Sequence, residues 1–298
     1  MKEPMPKRTK AIWQALIVTL LWSTSWILIK FAIADIPPLI FAGLRYSFAS
    51  LFLLPGLLKN KSSISKLKKK DWLLLIFLGI FFYFFTQGGQ FITLQYLETT
   101  TFSMLLNFSA IFIAFLGIIF LKERITWIQW LGISIFIAGV LQYFSPKSIN
   151  GGEWIGYAFA GFTVLANAIA SLLGRRVNRN AEISATITTG ISMSIGAILL
   201  LAAGLVIEDF PVLTITNWIA ILWMASVNTA LAFTLWNKSL QVLSAVESGI
   251  INNSMLVQIA LLSVIFLGDT LSTHDWISLL IATLGIVLVN FKSNFYRD

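Results

Sequence analysis

The chain has 298 residues, 57% of them hydrophobic and only 11% charged, with a mean hydropathy of +0.84 and a formal net charge of +8. A soluble domain carries about 25% charged residues, so this composition excludes an ordinary water-soluble fold and points to an integral membrane protein. The sequence has no cysteine, which removes disulfides, thiolate metal sites and cysteine nucleophiles.

Taken in chain order, apolar runs cover 11–33, 37–58, 72–95, 99–121, 127–145, 154–175, 183–206, 216–237, 244–267 and 276–292. Each is close to the roughly 20 residues a helix needs to cross a hydrocarbon core of about 30 Å. None alternates polar with apolar as a transmembrane barrel strand does. The expected fold is therefore all-α, a polytopic membrane protein of ten transmembrane helices. The first run follows the basic segment MKEPMPKRTK and has no small-residue cleavage site, so it reads as a retained helix rather than a removed signal peptide.

With the N-terminus in the cytoplasm, the basic residues gather on one side. Lys7, Arg8 and Lys10 precede the first run, and Lys59, Lys61 and the KLKKK segment at 66–70 follow the second. Lys122 and Arg124 follow the fourth, Arg175, Arg176 and Arg179 the sixth, Lys238 the eighth, and Lys292 and Arg297 the tenth. Lys147 alone falls on the other side. This is the positive-inside pattern of a multi-pass protein of the cell inner (cytoplasmic) membrane with both termini cytoplasmic. It also argues against nucleic acid as a partner, because the charge encodes topology rather than a phosphate-binding face. The expected partners are membrane lipid and a small-molecule solute, with the chain a monomer or weak homodimer.

One constant shift of 146 residues aligns the two halves, 1–149 and 150–298, without a gap. Trp72 meets Trp218; Leu94, Gln95 and Leu97 meet Leu240, Gln241 and Leu243; Asn107 meets Asn253. Trp130 meets Trp276, Gly139 meets Gly285, and Lys30 meets Arg176. Five runs per half is an odd number, so the second half enters the membrane from the opposite side. Such inverted repeats are the building plan of alternating-access carriers.

Every acidic residue lies at the end of a run or between runs, and the single histidine, His274, lies in an outer connection. A mid-membrane carboxylate relay is thus disfavoured, which leaves Glu98 or Glu247 to act near a mouth. No nucleophile sits with a base and no metal-ligand cluster exists, so neither an enzyme nor a metal or other cofactor is expected. Two cations do fall within runs. Lys30, three residues from the outer end of the first, can snorkel to the interface. Arg45, eight residues into the second, is costly unless it faces a cavity or partner, with Asp35 or a substrate carboxylate as candidates.

The uncharged polar residues are the main candidates for a solute site: Trp22, Ser25 and Trp26 in the first run, Tyr83, Gln87 and Gln90 in the third, Asn107 in the fourth, Asn167 in the sixth, Asn228 and Trp236 in the eighth, and Asn253 and Gln258 in the ninth. Unpaired amides are costly in lipid and must turn inward. Each taken alone also fits a hydrogen bond between helices, worth about 0.6 kcal/mol; as a group they fit the lining of a central cavity. Tyr83, Gln87 and Gln90 at i, i+4 and i+7 share one α-helical face, as do Trp22 and Trp26 at i and i+4. Aromatic faces with amides suit an amphipathic organic molecule.

The stretches LLWSTSWILIK, YLETTTFSMLLNFSAIFIAFLGIIFLKERIT and WLGISIFIAGV, echoed by LSAVESGIINNSMLVQIALLSVIFLGDTLS and WISLLIATLGIVLV, resemble the EamA-type branch of the drug/metabolite transporter superfamily. The resemblance implies a ten-helix carrier whose cavity is lined mainly by the first four helices of each half, the last of each half being peripheral. It departs from the pattern where LGDTLS replaces the acidic-basic ending and where Asn252 and Asn253 stand in place of small residues. The expectation is a secondary transporter, most directly an exporter of amino acids or related metabolites working by alternating access. An importer of a vitamin or nucleotide-like metabolite, or a non-transporting membrane scaffold or receptor, stay open.

Overall fold

Backbone N–H and C=O groups in lipid must bond within their own segment, and the computed structural model is built accordingly. It describes residues 7–121, 126–144, 153–179, 183–243 and 245–290, and among the described residues there is no strand. The principal helices are α1 (Lys7–Ala32), α2 (Pro38–Lys59), α3 (Lys69–Tyr96), α4 in two pieces (Thr99–Leu106 and Phe108–Leu121), α5 (Trp127–Phe144), α6 (Trp154–Arg179), α7 (Ala185–Ile207), α8 (Ile215–Leu240), α9 (Ala245–Phe266) and α10 (Thr273–Asn290). Eight of these are long and apolar enough to cross a membrane; α4 and α10 offer shorter apolar stretches, Thr99–Ile113 and Thr273–Val289. The expected single run 99–121 is thus broken at Asn107, which forms a turn. Lys147, the LKERIT residues Lys122 to Ile125 and both termini lie outside the described residues.

Local chemistry sets the helix starts. Pro38 opens α2, where its missing N–H costs nothing. The Glu208 carboxylate, just past the end of α7, accepts the N–H groups of Leu39 (3.1 Å) and Ile40 (2.8 Å), which suits an anion at a helix N-terminus. Ser184 and Thr214 cap α7 and α8, and Ser272 with Asp275 forms a capping box at α10.

Two inserts interrupt the regular helices. Gly79–Gln87 in α3 and Met224–Leu231 in α8 are π-helical, with backbone bonds reaching five residues back, a rare geometry that marks functional sites. The Thr86 and Thr229 hydroxyls follow suit, each donating to the carbonyl five residues earlier, Phe81 and Met224, at 2.8 Å. Shifted by 146, the first insert falls almost on the second.

Helices pack across the halves. The main core joins α1, α2, α3, α7 and α8 around Phe41, Tyr46, Tyr83 and Phe233. A second cluster holds α5 and α10 together through Phe136, Ala282 and Ile286. Small residues allow the close approach typical of membrane helices: a Cβ on Gly139 would lie 2.6 Å from the Ala282 nitrogen, and one on Gly204 would lie 2.9 Å from the Ile40 nitrogen. Large apolar side chains such as Ile198, Val206, Leu141 and Leu284 stand exposed on the outside of the bundle, as a lipid-facing surface requires.

Candidate functional site

Two adjoining chambers lie in the middle of the bundle. The larger, of about 230 Å³, is bounded by Trp22, Trp26, Tyr83, Asn107, Asn167, Trp236 and Asn253, and extends to Gly174, Leu240 and Ser248, where α6 and α8 end and α9 begins. The smaller, of about 110 Å³, shares Trp22, Trp26 and Asn167 with it and adds Ser25, Arg45, Tyr46, Gln87 and Gln90. Neither α5 nor α10 contributes a lining residue to either chamber.

Most of the residues singled out by sequence therefore come together, but with different duties. The π-helical insert divides the i, i+4, i+7 set: Tyr83 lines the larger chamber, Gln87 and Gln90 the smaller. Asn107 donates to the Ser103 carbonyl (2.7 Å) and Asn167 to Ser109 Oγ (3.0 Å). The buried side-chain nitrogens Trp22 Nε1 and Asn253 Nδ2 have no acceptor among the described residues. Asn228 and Gln258 stand outside the lining. Asn228 Nδ2 donates to the Leu21 carbonyl at 2.6 Å, tying α8 to α1, and Gln258 Oε1 accepts from Ser23 Oγ at 2.9 Å, tying α9 to α1.

The two intramembrane cations part ways. Lys30 is not at the cavity: its Nζ donates to the carbonyls of Leu94 (2.6 Å) and Leu97 (3.0 Å), groups left orphaned where α3 ends. It acts as a cap on the end of α3. Nearby, Thr100 Oγ1 meets Ser263 Oγ at 2.9 Å and Trp26 stacks on Phe102 with centroids 5.1 Å apart. Together these contacts tie α1, α3, α4 and α9 to one another near the end of α1. Arg45 is buried, lines the smaller chamber and donates through Nε to Thr229 Oγ1 at 2.7 Å. Asp35, the partner suggested by proximity in the chain, is exposed and forms no ion pair with it. Among the described residues no aspartate or glutamate lines either chamber, and no group of His, Asp or Glu could hold a metal ion.

Sequence reasoning missed Tyr46 and Phe233. Tyr46 donates from Oη to Gln87 Oε1 at 2.7 Å. Phe233 is an aromatic hub against Trp22 (4.9 Å), Tyr83 (5.4 Å) and Phe82 (5.5 Å). A usable signal was present, because the 146-residue shift carries Ser25, Gln87, Gln90 and Asn107 onto Ser171, Phe233, Trp236 and Asn253, all of which line a chamber.

Comparison with known proteins adds a family. The chain is 26% identical to the uncharacterized transporter YvbV of Bacillus subtilis (strain 168), across 97% of this chain and 94% of that one. It is 27% identical to an S-adenosylmethionine/S-adenosylhomocysteine transporter of Chlamydia muridarum, across 78% of this chain and 73% of that one. A solved crystal structure sharing 17% identity superposes with a TM-score of 0.70 over 94% of this chain and 96% of that chain, a likeness of fold. The model of the EamA-like transporter family matches twice, over residues 9–145 and 154–291. The chain belongs to the EamA-like transporter family.

Proposed function

We propose that this protein is a secondary carrier of ten transmembrane helices, in two inverted five-helix halves, that exports amino acids or related metabolites across the cytoplasmic membrane by alternating access. The observation that carries this reading is a polar and aromatic cavity at the core of a membrane bundle, which the reading takes as open beside Gly174 and Leu240 and shut beside Lys30, Thr100 and Trp26. The family model's separate match to each half supports the duplication, as do the two π-helical inserts at corresponding places. The larger chamber reaches Gly174 and Leu240, near Arg176 and Lys238 in the chain, and we take its mouth to lie there. The positive-inside rule assigns that end to the cytoplasm, so the resting site would load from inside, as export requires.

A second reading is import of a nucleotide-like metabolite. The relative named for S-adenosylmethionine and S-adenosylhomocysteine supports it, and the Trp22, Trp26 and Trp236 walls offer faces on which a base could stack. Proteoliposomes with the protein in known orientation, loaded with a panel of amino acids and nucleoside-type metabolites, separate the two. The export reading expects saturable flux of an amino acid or close relative from the face bearing the basic connections. Flux confined to nucleoside-type solutes would transfer the assignment to the second reading, and no flux of any solute by folded protein would end both.

A further inference from the structure

Arg45 is 3% exposed, in a place where an uncompensated charge is costly. Its guanidinium has five N–H donors. One goes from Nε to Thr229 Oγ1; among the described residues no other acceptor takes a hydrogen bond from it, and the ion pair seen there belongs to Arg8 and Glu247. Aromatic rings support the charge without consuming donors: the guanidinium carbon lies 5.6 Å from the Tyr46 centroid and 5.8 Å from the Phe91 centroid.

The uncharged groups around it offer further donors. Gln87 has its Oε1 held by Tyr46 and its NH2 makes no hydrogen bond to the described residues, while Gln90 and Ser25 line the same chamber and make no hydrogen bond of their own to the described residues. Gln90 Oε1 and Ser25 Oγ can each accept a hydrogen bond but carry no charge, and with no carboxylate among the described lining residues the counter-charge to Arg45 is left for the solute to bring. A planar guanidinium matches two coplanar oxygens bidentately. We propose that the smaller chamber is a carboxylate subsite: Arg45 grips the two oxygens of an organic carboxylate, Gln87 and Gln90 donate to them, and the solute's apolar or aromatic body extends past Trp22 and Trp26 into the larger chamber. The assignment rests on the carrier reading for its purpose, so binding and flux are measured separately.

The test titrates full-length purified protein with 3-phenylpropionate, 3-phenylpropionamide and 2-phenylethyl phosphate, read by intrinsic tryptophan fluorescence. The acid is expected to bind at least about tenfold more tightly than the amide, the scale of one charge-assisted pair, and more tightly than the phosphate ester. Arg45→Gln brings the acid down to the amide's level, and Arg45→Lys keeps part of the preference because the charge stays while the fork is lost. Equal binding of acid and amide by the wild type, a preference that survives in Arg45→Gln, or no binding of any probe overturns the subsite; tightest binding of the phosphate ester overturns the carboxylate assignment. If Arg45→Gln does not fold, the wild-type comparison and Arg45→Lys decide. Acid-selective binding without flux in proteoliposomes keeps the subsite and ends the carrier reading, whereas flux indifferent to the acid does the reverse.

Discussion

At the end proposed to be shut, Lys30 Nζ reaches the carbonyls of Leu94 (2.6 Å), in the last turn of α3, and Leu97 (3.0 Å), just beyond it. At the open end stands Arg176, the residue that the 146-residue shift pairs with Lys30. It is exposed, and the carbonyls of Leu240 and Leu243, the counterparts of Leu94 and Leu97, receive no hydrogen bond from it. One sequence pattern is therefore held in two local states in a single structure. In the proposed inverted arrangement this is what alternating access needs: like elements, one closed and one open, with only small contacts deciding which.

The largest expected effect comes from breaking the shut end itself. Lys30→Met removes two hydrogen bonds from a cation, each worth about 1.5–3 kcal/mol. Because the chain has no cysteine, a single Ile29→Cys reports the result: Ile29 is 1% exposed beside Lys30, and its labelling by a membrane-impermeant maleimide should rise at least about tenfold in the Lys30→Met background. Glu208→Gln weakens the anionic cap that joins the end of α7 to the start of α2. It should cost about 1 kcal/mol, seen as a lower melting temperature in detergent together with faster Ile29→Cys labelling. Thr100→Val deletes the hydroxyl that meets Ser263 and should cost only about 0.6 kcal/mol, measured in the same two assays. At the open end, Arg8→Gln dissolves an ion pair whose arginine side chain is 73% exposed. Such pairs are worth less than about 1 kcal/mol, so labelling of Ile29→Cys should not change. Equal sensitivity of both ends to these substitutions would break the comparison.

Much of this was legible in the chain. Continuous apolar runs gave the helices, and the shift that pairs Gly139 with Gly285 was legible too, although only the structure shows that both lie where α5 and α10 pack closely. Asn107 and Asn253 were legible as a pair for the same reason of register. The partner of Arg45 was not: proximity in sequence suggested Asp35, whereas the acceptor is Thr229, 184 residues away, and such pairings follow from tertiary packing. The π-helical inserts were equally hidden. GIFFYFFTQ and MASVNTAL share no local signature, and the widened turns depend on how α3 and α8 pack against their neighbours rather than on propensity. Asn228 and Gln258 read as solute ligands by their polarity alone, yet both tie helices to α1; one amide is like another in sequence, and only position separates a helix tie from a wall.

The central claim is a cavity exposed to one side of the membrane at a time. Ala110→Cys places a thiol on the wall of the larger chamber, and labelling it from each face in oriented vesicles tests that claim directly. In resting protein the reagent should reach it only from the face bearing the basic connections, and during solute turnover it should reach it from the opposite face as well. Labelling that stays on one face under every solute gradient tried would contradict the account.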